Sequence, residues 1–149
     1  MNTDIVPGII PGITHTLSLH VNDRLLATAF TPDFLGFADL PPVFGTAFMV
    51  GFMEWACIEA LRPYLEDGWK TVGTHVYLSH VSPTPAGMKV TANVELLEVK
   101  GRTLRFRVDC YDACGLIGSG FHERTVIDTD RFMAKVRKKA TTLPGRLAA

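Results

Sequence analysis

The chain has 149 residues, the size of one domain, with a core that can bury about 70% of its unfolded surface. Hydrophobic residues make up 47% and charged residues 20%, a globular composition that excludes intrinsic disorder. The 15 basic and 15 acidic residues cancel, which argues against nucleic-acid binding, and no apolar run reaches the roughly 18 residues that would span a membrane.

The opening stretch MNTDIVPGIIPG (1–12) carries Pro7 and Pro11 and predicts an irregular arm. It lacks the basic start and continuous apolar segment of a secretory signal. The 3 cysteines form no CxxC unit, so free thiols in a reducing, cytoplasmic compartment are expected, with no metal. Ile13 to Val21 alternates apolar and polar residues and predicts a strand with one apolar face. In TPDFLGFADL, Thr31-Pro32 is a helix-start signal, and Phe34, Phe37 and Leu40 fall at helical spacing. That segment reads either as an apolar flap or as a small satellite core.

Phe44 to Leu61 (FGTAFMVGFMEWACIEAL) is apolar nearly all round, the pattern of a buried helix. Period-two alternation then runs to about Asp128. It places Val72, Thr74, Val76, Leu78 and His80 on one face, with Gly73, His75, Tyr77, Ser79 and Val81 on the other. SPTPAG (82–87) predicts a turn, Leu96-Leu97 a bulge, Lys100-Gly101 a hairpin and Asp112 to Gly115 another turn. Asp130 to Ala140 reads as a helix with Lys135, Arg137, Lys138 and Lys139 toward its end, a solvated face or a phosphate contact. The domain is therefore expected over 13–140, with a frayed tail at 141–149. One helix against a curled antiparallel sheet is an α+β layout. Part of the uncovered surface around Tyr77 and Val81 is expected to meet a second copy.

Three residues carry candidate chemistry. Glu54 is the only charge between Asp39 and Glu59 and sits among Phe52, Met53, Trp55 and Ala56. A buried carboxylate must be paired, hydrogen-bonded, protonated or set in a cavity. Glu54 either does chemistry or occupies the helix's one wet stripe. His80, by strand parity, points to the apolar face, as a core histidine or as a base beside Glu54. Thr46 lies at the helix start, as a cap or beside free N–H groups that polarise a carbonyl. In one regular helix Thr46 and Glu54 are about 12 Å and about 80° apart, so they cannot touch directly. GLIGSG (115–120) lies in a strand context and does not predict a phosphate loop, and no cysteine stands out as a nucleophile.

Three blocks resemble the fluoroacetyl-CoA thioesterase family of single-hotdog proteins: PPVFGTAFMVGFMEWA (41–56), GTHVYLSHVSPTPAGMKVT (73–91) and IGSGFHERTVI (117–127). The similarity runs over roughly 13–139. The resemblance implies a hotdog fold, a five-stranded antiparallel sheet wrapped around one long helix. It implies a homodimer joined sheet edge to sheet edge, with acyl-CoA sites at the interface and no cofactor beyond the CoA of the substrate. It implies Thr46, Glu54 and His80 as the catalytic set. Glu54 would attack the thioester or activate water, His80 would act as base, and Thr46 would orient the glutamate or the thioester. Gly73 would lie near the acyl group, Arg124 would approach the acyl tail, and Phe37 would belong to a lid. The fluoroacetyl-specific member has an aromatic residue where this chain has Leu40, so the expected substrates are short-chain acyl-CoAs, α-substituted or fluorinated ones included. An enoyl-CoA hydratase or a non-catalytic acyl-CoA-binding dimer on the same fold are the alternatives.

Overall fold

The computed structural model describes residues 8–145. It has five strands, β1 (Thr14–His20), β2 (Trp69–Leu78), β3 (Lys89–Lys100), β4 (Thr103–Asp112) and β5 (Gly115–Asp128), and two α-helices, α1 (Thr46–Leu61) and α2 (Thr129–Ala140). The strands form one antiparallel sheet in the order β1-β3-β4-β5-β2, so β1 and β2 are its edges. Of the arm and tail expected at the ends, residues 1–7 and 146–149 lie outside the described residues.

The sheet curls around α1, whose Met49, Phe52, Met53, Ala56, Cys57, Ala60 and Leu61 are buried against it. Val90, Ala92, Val94, Leu96, Leu104, Phe106, Val108 and Cys110 supply the sheet side of this core. Each large side chain buried there stabilises the fold by about 1.5–3 kcal/mol. The opposite face of the sheet is polar: Thr16 bonds Asn93 at 2.8 Å and Ser18 bonds Thr91 at 2.9 Å. A hotdog arrangement results, as the resemblance implies.

Several sequence expectations hold. The register shift between Leu96 and Glu98 is the expected bulge, and Gly101 turns the β3–β4 hairpin with φ +59°. Others fail for identifiable reasons. The helix expected from Thr31-Pro32 does not form; Gly36 adopts φ +99° and only a single 3-10 turn follows at Phe37–Asp39. Glycine takes that left-handed conformation without the steric cost a side chain would add, and it breaks helical continuity. Nor is α1 buried all round: Gly51 is exposed and Trp55 retains 42% exposure. Its N-cap is Gly45, with Thr46 one residue inside the helix.

The expected face assignment of β2 holds for Val76 and Leu78 but fails for the residues before them. The β2–β5 register shifts between Gly73 and His75, leaving Thr74 as a bulge. Cross-strand partners share a face. Thr71 pairs with Val126, Gly73 with Arg124 and Val76 with His122, so Thr71 and Gly73 face inward while Val72 faces out. His80 lies beyond the end of β2, and its direction is set by the loop instead of by strand parity.

Candidate active site

Two polar groupings meet α1, one at its start and one at its middle. At the start, Thr46 Oγ1 lies 2.7 Å from His80 Nδ1. Tertiary contacts hold this end of the helix in place: Gly45 N–H donates to Leu25 O at 2.9 Å, and Phe44 N–H donates to Thr84 O at 2.8 Å. The first-turn N–H groups of a helix have no intrahelical acceptor and carry partial positive charge. Thr46 and His80 line a cleft of about 290 Å³ together with Leu40, Pro41, Gly45 and Ser82. His80 Nε2 is buried there without a hydrogen-bond partner among the described residues. Burial holds the imidazole below its ordinary value of 6.5, opposed by the Ser82 backbone. His80 is therefore neutral at pH 7 and able to take a proton.

At the middle, Glu54 Oε2 accepts from Arg124 Nη1 at 2.7 Å. Arg124 is only 3% exposed, yet every face of its guanidinium has a partner. Nε donates to Thr71 Oγ1 at 2.8 Å, Nη2 to Thr71 O at 2.9 Å, and Nη1 also reaches His122 Nε2 at 3.1 Å. His122 Nδ1 in turn lies 2.7 Å from His75 O. Burial pushes the His122 imidazole below its usual value, and the nearby Arg124 charge acts in the same direction. Glu54 keeps 38% side-chain exposure, and among the described residues its Oε1 has no hydrogen-bond partner. Gly73 makes room for this carboxylate: a Cβ at that position would stand 2.7 Å from Glu54 Oε2 and 3.3 Å from Arg124 Nη1.

The predicted site residues thus fall into two sets. Thr46 joins His80, and Glu54 joins Gly73 and Arg124; no hydrogen bond among the described residues links the two sets. His122 and Thr71 belong to the second set and were missed in the sequence. The signal for them is their inward position on β5 and β2, which the bulge at Thr74 hides. Cys57, near Glu54 on α1, is pushed up to about 12 by burial and carries no nucleophilic thiolate at neutral pH. No group of three or more metal-ligating side chains occurs among the described residues.

An aromatic cluster packs on the first turn of α1. Phe37 lies 5.1 Å from Phe30, and Phe30 lies 5.5 Å from Phe48 in the first turn of α1. Leu40 follows on the rim of the cleft with 42% exposure.

The family model described as the fluoroacetyl-CoA-specific thioesterase, FlK, matches residues 26–130. The chain belongs to this family. A fluoroacetyl-CoA thioesterase from Streptantibioticus cattleyicolor is 50% identical over 108 residues, 72% of this chain and 78% of that protein. A solved structure of the fluoroacetyl-CoA thioesterase FlK is 44% identical, with a TM-score of 0.85 over 89% of this chain and 98% of that one. A threonine-to-serine variant of FlK in complex with acetyl-CoA is 43% identical, with a TM-score of 0.85 over 88% and 98% of the two chains. The fluoroacetyl-CoA-specific thioesterase family thus accounts for both the helix-centred sheet and the blocks that carry Thr46, Glu54 and His80.

Proposed function

We propose that this protein hydrolyses short-chain acyl-CoA thioesters to the free acid and CoA, using Glu54, His80 and Thr46 and no further cofactor. Family membership supports thioester hydrolysis over the hydratase and the binding-only alternatives. The observation that carries the chemistry is the Glu54 carboxylate, held through Oε2 by Arg124 with Oε1 left without a partner among the described residues. Oε1 either attacks the thioester carbon, displacing CoA to leave a Glu54–acyl anhydride that water then cleaves, or takes a proton from the water that attacks that carbon itself. The N–H groups of the first turn of α1 donate to the carbonyl oxygen and stabilise the negative charge that develops on it. His80 takes up the proton that water gives up and passes it to the CoA sulfur, so water and thioester are converted to acid and thiol.

One helix cannot bring Thr46 and Glu54 to one carbonyl, because they stand about 12 Å apart along its axis. A homodimer resolves this. β2 is an open edge, and its Val76 and Tyr77 are 55% and 79% exposed. Open edges of this kind pair readily with another strand. A two-fold axis between Val76 and Tyr77 would set Gly73 of one copy opposite His80 of the other. Glu54 of one copy then completes a site with Thr46 and His80 of the second. Phe37 and Leu40 cover this site, Gly73 borders the acyl group, and Arg124 reaches the acyl end only through Glu54. Thiol release from a panel of acyl-CoAs of graded chain length and α-substitution tests the reading. Release from short acyl-CoAs supports it, whereas no release from any of them, or loss of enoyl absorbance without thiol, contradicts it.

A further inference from the structure

Arginine and carboxylate usually pair through two parallel hydrogen bonds, which engage both carboxylate oxygens. Arg124 instead touches Glu54 through a single nitrogen and a single oxygen, Nη1 to Oε2 at 2.7 Å. The rest of its surroundings explain why. Thr71 takes Nε and Nη2, at 2.8 Å and 2.9 Å, and His122 Nε2 takes the second hydrogen of Nη1 at 3.1 Å.

The protonation of His122 follows from its partners. Nδ1 lies 2.7 Å from the His75 carbonyl oxygen, which can only accept, so Nδ1 carries the hydrogen. Nε2 faces a guanidinium, which can only donate, so Nε2 presents its lone pair. The ring is neutral and its tautomer is fixed. It is 2% exposed, and its Nε2 stands 4.0 Å from Glu54 Oε2, too far to bond the carboxylate itself.

We propose that His122 is a positioning residue for hydrolysis: its Nε2 takes the second Nη1 hydrogen of Arg124 and, with Thr71 on Nε and Nη2, fixes the guanidinium that holds Glu54 through Oε2 alone. Oε1 stays available to the thioester or to water. This inference rests on Glu54 being the reacting carboxylate. Without the Nε2 acceptor, a buried Nη1 hydrogen is left unpaired, the guanidinium tilts to satisfy it, and the Glu54 carboxylate it carries moves off its reacting position.

Two substitutions separate the ring nitrogens. His122→Asn keeps a polar atom near the Nδ1 position, able to bond His75 O, and has nothing at the Nε2 position. His122→Gln carries its amide out to the Nε2 position, where the oxygen accepts from Arg124. In steady-state acyl-CoA hydrolysis, His122→Asn is expected to lower kcat by about 10- to 100-fold, with KM within about 3-fold of wild type. His122→Gln is expected to keep kcat within about 3-fold. A purely structural role would lower the folded fraction or the melting temperature of both variants and leave kcat per folded site unchanged. Wild-type kcat in His122→Asn, or an equal fall in both variants, overturns the inference. If His122→Asn does not fold, His122→Gln decides alone, and a fall beyond about 10-fold overturns it. Glu54→Gln run alongside distinguishes the two failures: if that variant stays active, the reading of Glu54 is wrong, not the role of His122.

Discussion

The Gly73 α-carbon faces Glu54 so closely that a single added methyl would stand 2.7 Å from Oε2. The contact is with the end of a flexible side chain, so the carboxylate can yield while the backbone of β2 stays in place. Gly73→Ala is therefore expected to fold normally and to lower kcat/KM by about 10- to 100-fold, the usual effect of displacing a reacting group by a fraction of an ångström to an ångström. Thermal melting together with thiol-release kinetics checks this. Wild-type activity in a folded Gly73→Ala protein would mean that the carboxylate position is not critical.

His80 carries a pH signature. Burial lowers its pKa below 6.5, so the neutral form that can accept a proton persists on the acid side of 6.5. Activity should be level through neutrality and fall only below pH 6.5, as His80 takes up a proton and loses its acceptor role. His122 is lowered by burial as well. Both groups bind more protons unfolded than folded between their depressed values and 6.5, so stability is full above 6.5 and declines as pH falls through that window. A kcat profile whose acid limb begins above pH 6.5 would contradict the assignment. His80→Ala should lower kcat by about 100-fold, the scale of a positioned base, and should flatten that limb.

Much of this architecture is legible in the sequence. The period-two runs give β3, β4 and β5, and the apolar run with one lone charge gives α1 and Glu54. Two features are not legible, each for a physical reason. The bulge at Thr74 depends on how β2 pairs with β5, and it reverses the faces of the residues before it, so Thr71 reads as outward and escapes notice. His122 and Arg124 break the apolar alternation of β5 because they face a carboxylate instead of a hydrocarbon surface. Arg124 is legible only through the family resemblance, and no ligand-like spacing singles out His122. Strand parity points His80 inward, yet His80 stands outside the strand; its pairing with Thr46 arises from the loop that follows β2.

The composite site predicts complementation. Thr46→Ala/His80→Ala and Glu54→Gln proteins should each be nearly inactive. Mixed under conditions that exchange subunits, they should recover about a quarter of wild-type activity, because half the dimers are mixed and one of their two sites is intact. No recovery from a mixture shown to contain mixed dimers would place all three residues in one chain. Light scattering should give twice the chain mass of 16.4 kDa; a monomer at micromolar concentration would contradict the interface at β2.

The lid predicts specificity. Leu40 lies on the rim of the Thr46–His80 cleft, and Phe37 behind it packs against Phe30. A leucine there buries less apolar area than an aromatic ring, a difference of about 1–2 kcal/mol, or about 5- to 30-fold in relative kcat/KM. Several short acyl-CoAs should be hydrolysed at comparable rates, and Leu40→Phe should narrow that range. A wild-type protein that strongly prefers fluoroacetyl-CoA over acetyl-CoA would show that selectivity does not depend on an aromatic residue at this position.

The most direct measurement is thiol release by purified Glu54→Gln beside wild type, on the short acyl-CoA that wild type hydrolyses fastest. The amide keeps the size of the carboxylate and can still accept from Arg124, but it can neither attack the thioester nor take a proton from water. The expected result is a folded protein with kcat/KM lowered by at least about 100-fold. Hydrolysis by Glu54→Gln at a rate near wild type would contradict the account.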